Sequence, residues 1–274
     1  GLGDVYKRQV NMRNIGLGDR MKQYEQVTQV RLIRRMPVIL RLDGKSFHRF
    51  TRGFEKPFDP VMLTAMQNTM QELCNRVEGC VLGYTQSDEI SLVLCDYQQL
   101  DTEAWFGNKL QKLCSISASI CTSAFQKYFR EAASTLGYTD YLKRADQANF
   151  DSRAFNLPME EVNNYFVWRQ RDAIRNSIQA TAQAYFSHKQ LNGVNCKKAL
   201  EMLQTEKQVN WNEFHTSLKR GTCCIKMPQL LNQGTPSEIV REKWCLHLEI
   251  PVFSEDCTYV EKRIHFEDAE AEED

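Results

Sequence analysis

Two acidic corners, 45 residues apart, carry side chains that could do chemistry together: Asp43, in the run Pro37-Val-Ile-Leu-Arg-Leu-Asp-Gly-Lys-Ser-Phe-His48, and Asp88-Glu89, in Gln86-Ser-Asp-Glu89. Carboxylates brought into one site repel one another, and burial without a partner raises their pKa values unless cations sit between them. Oxygen ligands suit magnesium. A two-cation site of this kind aligns a nucleotide's phosphates, polarises phosphorus and activates an attacking hydroxyl. A lone Asp-Gly after a strand also reads as a simple turn, so the second corner is what favours a site over a bend.

The elements that must position these groups follow from the apolar pattern. Val38, Ile39, Leu40 and Leu42 form a short apolar run between Pro37 and Gly44, which predicts a mostly buried strand that stops at Asp43. Gly44, without a Cβ, lets its own carbonyl approach a cation closely. Cys80 to Thr85 and Ile90 to Leu94 read as the two arms of a hairpin, with Gln86-Ser87 turning and Asp88 and Glu89 in the bend. Asp59-Pro60 opens a helix whose Met62, Met66, Met70, Leu73 and Val77 mark one core-facing stripe.

A second long helix is predicted from Asp101 to about Ala133, carrying Lys109 and Lys112 three residues apart. Residues 149–157 fit a fourth strand, stopped by Pro158. The order strand, helix, strand, strand, helix, strand over residues 37–157 is that of an α+β, ferredoxin-like polymerase palm, an antiparallel sheet with helices on one face. Its catalytic palm domain spans 20–157, opening with a short helix predicted from Gly18 to about Arg35.

Residues 158–262 read as a C-terminal helical and mixed region. A long helix from Met159 to about His188 carries Arg169, Arg171 and Arg175, which suggest phosphate contacts, and Cys196 to Lys207 forms another. Lys219-Arg220-Gly221 is a basic turn before the strand-like run Thr222 to Lys226, a pattern compatible with RNA contact, and Trp244 to Ile250 is a further strand. The acidic tail, 263–274, is expected to be disordered. Residues 1–19 are set apart as a leader, because Asp4-Val-Tyr-Lys-Arg-Gln9 reads like translated sequencing adapter, with the natural start expected at Met12 or Met21.

Composition narrows the class. Lys+Arg and Asp+Glu both number 35, so net charge identifies no partner, and 42% hydrophobic residues suffice for a substantial core. Ten cysteines without a C-x-x-C pair, and no signal peptide, point to reduced thiols in a cytoplasmic protein. No apolar run approaches the roughly 20 residues a membrane-spanning helix needs.

Five motifs, in order and spacing, resemble the tRNA-histidine guanylyltransferase family: Arg41-Leu-Asp-Gly-Lys-Ser-Phe-His48, Tyr84-Thr-Gln-Ser-Asp-Glu89, Phe150-Asp-Ser-Arg153, Trp168-Arg-Gln-x-Asp172-x-x-x-Asn176 and Lys219-Arg-Gly221. The resemblance covers about residues 20–226. It implies a polymerase-like palm that adds nucleotides to the 5′ end of tRNA in the 3′ to 5′ direction, with ATP, GTP or other nucleoside triphosphates as substrates, in a homotetramer. Two Mg²⁺ ions would sit on Asp43, the Gly44 carbonyl and Asp88, with Glu89 as a supporting carboxylate. Asp43, Gly44, Lys45, Ser46, Phe47, His48, Ser87 and Asp88 would form the nucleotide site. Lys109 and Lys112 would hold the triphosphate that activates a 5′-monophosphate, after which the incoming nucleotide's 3′-hydroxyl attacks that phosphate. Arg169, Gln170, Asp172, Asn176, Lys219 and Arg220 would contact RNA.

Where eukaryotic members read His-Ile-Asn-Asn-Leu-Tyr, this chain reads Ile174-Arg-Asn-Ser-Ile-Gln179, the form of the bacterial, archaeal and phage guanylyltransferase-like branch. That substitution implies template-dependent 5′-end repair over non-templated guanylate addition to histidine tRNA. Two other readings share the palm: a nucleotide cyclase acting without RNA, and a non-catalytic RNA-binding relative.

Overall fold

The computed structural model describes residues 16–231 and 239–266. In chain order its elements are α1 (Leu17–Val27), β1 (Val38–Gly44), α2 (Phe47–Phe50), α3 (Pro60–Arg76), β2 (Cys80–Gln86), β3 (Glu89–Leu94), α4 (Leu110–Leu136), β4 (Phe150–Asn156), α5 (Met159–Tyr185), α6 (His188–Leu191), α7 (Cys196–Lys207), α8 (Thr216–Arg220), β5 (Thr222–Leu231), β6 (Ile239–His247) and α9 (Thr258–Glu261). The strands form one sheet in the order β4-β1-β3-β2-β5-β6, with every neighbouring pair antiparallel. The first four are the palm. The last two extend the same sheet past β2, so residues after 158 share the palm's framework.

Strand alternation sends two sets of side chains to two cores. Leu40, Leu42, Ile90 and Leu92 pack against the methionine stripe of α3 and against Leu113, Phe125 and Phe129 of α4, which places α3 and α4 on one face as the palm pattern requires. Each such side chain, fully buried, contributes about 1.5–3 kcal/mol. Beside them Phe47, Phe50, Phe54, Phe125, Phe129 and Phe150 form an aromatic cluster in which neighbouring ring centroids lie between 4.9 and 5.8 Å apart. The opposite face is covered as well: Ile39, Tyr84 and Val93 meet Val162, Tyr165 and Phe166 of α5, together with Ile250, Phe253 and α9. A third cluster joins the C-terminal half of α5 to α7 through Ile178, Ala182, Phe186, Ala199 and Leu203.

Three boundaries differ from the sequence reading. α1 ends at Val27 and not at Arg35, because the chain beyond it pairs laterally: Leu32 N donates to Asn108 O at 2.9 Å and Leu110 N to Val30 O at 2.9 Å. The same pairing delays α4, which starts at Leu110 and not at Asp101. Phe106, Gly107 and Asn108 take left-handed φ values of 51°, 57° and 56° there, and the Arg31 guanidinium donates to Gly107 O at 2.8 Å. Thirdly, β5 and β6 make a hairpin in register from Cys223↔His247 to Leu231↔Ile239, so β6 starts five residues before Trp244. Gly221 admits no side chain where α8 turns into β5: its φ is +89°, and a Cβ would lie 2.6 Å from the Thr85 carbonyl oxygen. No helix among the described residues is long and apolar enough to cross a membrane. Of the expected leader, 1–19, residues 1–15 lie outside the described residues and Leu17–Asp19 open α1; of the expected disordered tail, 263–274, residues 267–274 lie outside them, while Ile264 is buried and Phe266 packs against the second cluster.

Candidate active site

The two acidic corners meet. β1 delivers Asp43 at its C-terminal end, opposite Glu89 in the β1–β3 register, and the two-residue turn Ser87-Asp88 between β2 and β3 lies alongside. A backbone bond from Gly44 N to Asp88 O at 3.0 Å locks the corners together. Asp43, Gly44, Ser87 and Asp88 line a cleft of about 640 Å³. Burial first, and the charge of Asp43 second, push the Asp88 carboxyl above its ordinary value, while Ser87 Oγ donates to Asp88 Oδ1 at 3.1 Å and pulls it down. A neighbouring carboxylate thus disfavours the ionised form of Asp88.

Glu89 does something else. It is 7% exposed, and both oxygens are taken by Arg169 of α5, Nε to Oε1 at 2.7 Å and Nη2 to Oε2 at 2.8 Å. Burial pushes the Glu89 carboxyl up, with Arg169 the largest opposing influence. Arg169 Nη1 donates to Asp172 Oδ2 at 2.9 Å, and Asp172 Oδ1 accepts from Arg175 at 2.7 Å. This chain of ion pairs pins α5 to the sheet under the acidic corner. Glu89 is therefore a structural support for Asp43 and Asp88, held away from the cleft lining.

Ser46 and His48 are exposed at the cleft and Phe47 is buried beneath it. A Cβ on Gly44 would lie 2.3 Å from the Phe47 ring, so glycine at 44 is what lets the aromatic cluster seat under the strand end. Phe47, 3% exposed, is committed to that cluster and is not free to stack on a base. Lys45 is exposed, with its N–H donating to Asn149 O at 2.8 Å. The facing wall carries Asn176 and Ser177 of α5 and Ser217 to Lys219 of α8.

The residues expected to contact RNA divide. Asn176 and Lys219 line the cleft. Lys219 Nζ also donates to Asn212 O at 2.6 Å, and Arg220 Nε to Ile250 O at 3.0 Å. Asp172 is occupied by the two arginines already named. Arg169 and Gln170 are 7% and 2% exposed, and Gln170 clamps the C-terminal segment, its Nε2 donating to Pro251 O and its Oε1 accepting from Phe253 N, each at 2.9 Å. Buried side chains with all their partners inside the protein are not available to an RNA backbone, so the RNA assignment of Arg169 and Gln170 is corrected to a structural one.

Lys109 and Lys112 are not at this cleft. Arg31 bridges to Lys109, whose neighbour Asn108 lies with Val38 around a small cavity at the start of β1. The strand then runs five residues to Asp43, roughly 16 Å at a strand's rise. Lys112 stands over the Phe106 ring at 5.4 Å. The sequence reading missed the loop from Thr51 to Asp59, which supplies Glu55, Lys56 and Pro57 to the cleft; no spacing links that loop to α5, since folding alone brings them together.

Among the described residues no group of three His, Cys, Asp or Glu side chains forms a ready-made metal cage. Two carboxylates and a backbone carbonyl nonetheless fit Mg²⁺, which keeps several waters and uses one or two carboxylates plus substrate phosphates. Palm and cleft together are those of a nucleotidyltransferase. Residues 18–158 match the profile of the family described as Thg1, tRNAHis guanylyltransferase, and the chain belongs to that family. A bacterial tRNA(His) guanylyltransferase (Thg1)-like protein solved in complex with ATP is 43% identical, with a TM-score of 0.80 over 91% of this chain and 99% of that one. Another, in complex with GTP, is 40% identical, with a TM-score of 0.75 over the same shares. The tRNA(His) guanylyltransferase of Schizosaccharomyces pombe is 29% identical over 225 residues, covering 76% of this chain and 79% of that protein.

Proposed function

We propose that this protein restores missing nucleotides at the 5′ end of tRNA in the cytoplasm, choosing each by pairing with the opposite strand and drawing on ATP, GTP and the other nucleoside triphosphates. The observation that carries the reading is the convergence of Asp43 and Asp88 in one cleft beside Asn176 and Lys219. Asp43, Asp88 and the Gly44 carbonyl would hold two Mg²⁺ ions, whose charge, when bound, steadies a triphosphate and lowers the pKa of an attacking hydroxyl. The chain's own residues set the geometry. The Gly44–Asp88 backbone bond keeps the two carboxylates side by side, Arg169 fixes the strand end through Glu89, and Ser46 and His48 offer polar groups to the nucleotide. Lys219 faces phosphate across the cleft.

Templated repair is favoured over guanylate addition by where the departing motif falls. Ile174 packs with the third core cluster, Asn176 reaches the cleft, and Gln179 lies beyond it, so no histidine or tyrosine at 174 or 179 is present to select guanine. The shape of a base pair is then the selector. A cyclase needs no RNA-facing wall, and a non-catalytic relative has no need of two cleft carboxylates.

The test is to incubate the protein with labelled nucleotides and a tRNA lacking its first 5′ nucleotide, and to map the product's 5′ end. Addition is expected for the wild type, with Asp43→Ala slower by on the order of 10³-fold, the equivalent of about 4 kcal/mol of lost charge stabilisation. Near wild-type rates for that variant in saturating Mg²⁺ would remove Asp43 from the metal site.

A further inference from the structure

The cleft does not end at Asn176. Lys56 lines both it and a second cavity of about 510 Å³, which continues along α5 toward α6 and α7. Gln179, Gln183, Asn192 and Asn195 line this second cavity with Lys56 and His188, and all six are exposed. Its base is the third core cluster, so the cavity is backed by packed helices. The chemistry differs from that of the catalytic cleft. No carboxylate is among the lining residues, so the cavity neither holds a metal-bound triphosphate nor repels phosphate. Side-chain amides both donate and accept, which is the pattern that base edges present.

Size limits the occupant further. An A-form helix is much wider than this space, and proteins read RNA base edges chiefly on unpaired nucleotides. On an RNA whose 5′ end lies in the cleft, the unpaired nucleotides adjoining the reacting end are those of the 3′ overhang. We infer that the second cavity binds the single-stranded 3′ overhang of the RNA whose 5′ end is extended, an inference that rests on the nucleotide-addition reading. Lys56, shared by the two cavities, meets the phosphate at the junction, and the amides meet the bases beyond it. Holding the overhang beside the cleft fixes which base stands opposite the incoming nucleotide.

Fluorescence polarisation of labelled RNA, with the full chain and without nucleotide or divalent cation, tests this. The probes are a tRNA lacking its first 5′ nucleotide and the same RNA trimmed of its 3′ overhang. Trimming is expected to weaken wild-type binding about tenfold. The double variant Gln183→Leu, Asn192→Leu should bind the intact RNA as weakly as the wild type binds the trimmed one. A wild type indifferent to the overhang overturns the inference, as does a variant that loses the same factor on both RNAs or a wild type whose overhang contact is displaced by ATP alone. Should the variant fail to fold, cross-linking from 4-thiouridine in the overhang of wild-type complexes decides, with adducts expected within residues 179–199 and adducts confined elsewhere overturning it. Because binding is read without nucleotide, overhang dependence without nucleotide addition would remove the proposed function and leave the subsite, whereas addition without overhang dependence would do the reverse.

Discussion

Asp88 and Glu89 are neighbours in the chain with opposite tasks, and their environments show why. Asp88 faces the cleft, raised by burial and by Asp43, so the folded protein holds its proton more tightly than the unfolded chain does. Stability from such a group is full below its unfolded pKa and is lost as pH rises through the folded one. Asp88→Asn escapes that loss. Without divalent cations its Tm is expected to exceed the wild type's at pH 7, with the gap closing near about pH 4, and added Mg²⁺ should raise only the wild type. A variant less stable than wild type at both pH values would contradict the strained-pair account. Glu89 is instead neutralised by Arg169, and removing one partner of a buried pair strands a charge. Arg169→Met is expected to cost about 3–5 kcal/mol in urea unfolding, with Glu89→Gln in the same chain recovering part of it. A single-variant loss under about 1 kcal/mol would mean that the carboxylate finds water. The placement of Asp43 and Asp88 at one cleft was legible in the sequence, because strand ends and turns can be read locally. Arg169 was visible only as a cation on a helix, since the partner that buries it is 80 residues away.

At the scale of elements, α3 shows how much a local signal can carry. Asp59 caps it, Oδ1 accepting from Met62 N at 2.9 Å, while Oδ2 accepts from Glu55 N at 3.1 Å and Tyr141 Oη at 2.8 Å. Asp59→Ala is expected to cost roughly 2–3 kcal/mol, more than an exposed cap, because two further donors lose their partner; thermal melts would show it, and an unchanged Tm would refute it. That start was legible as Asp-Pro before a methionine stripe. The start of α4 was not, because three left-handed residues and a lateral pairing with Arg31 override a continuous helical pattern. β6 was read short for a different reason. Its Arg241, Glu242 and Lys243 are exposed on a hairpin that runs beyond the core, so no apolar alternation marks them. α1 raises the reverse case: no residue of it is buried, and Leu17, Met21, Tyr24 and Val27 are all exposed. An isolated helix of this length is marginal in water, so α1 adds little to the stability of the fold. Met21→Glu with Tyr24→Glu is accordingly expected to leave the Tm of the fold unchanged, since neither side chain is buried, and a Tm lowered by several degrees would show that α1 packs on the rest of the chain.

For the molecule as a whole, the decisive feature is that one sheet holds everything. β5 continues the palm beyond β2, Gln170 fastens the C-terminal segment to α5, and α5 itself presents Asn176 to the cleft and Gln179 to the cavity beyond. Palm order was legible because strand and helix periods alternate in sequence; the joining of the two halves was not, since β2 and β5 lie more than 130 residues apart. Lys109 and Lys112 stand at the far end of β1, so a triphosphate beside Asp43 cannot reach them within one chain. Within reach are backbone at Gly44 and Gly221, the Lys219 ammonium and the Ser46, His48 and Asn176 side chains, while no histidine or tyrosine stands at 174 or 179 to fix guanine. Selection should then come from the pair formed with the opposite strand. Given four tRNAs that lack the first 5′ nucleotide and differ only in the base opposite the gap, the protein is expected to add the complementary nucleotide to each, with rates within about tenfold of one another, since pairs of common shape differ by little more than 1 kcal/mol in such a site. Addition of G alone, at equal rates opposite A, C, G and U, would replace templated repair with guanylate transfer, and it would locate base selection in a side chain of this cleft, with Asn176 the first to substitute.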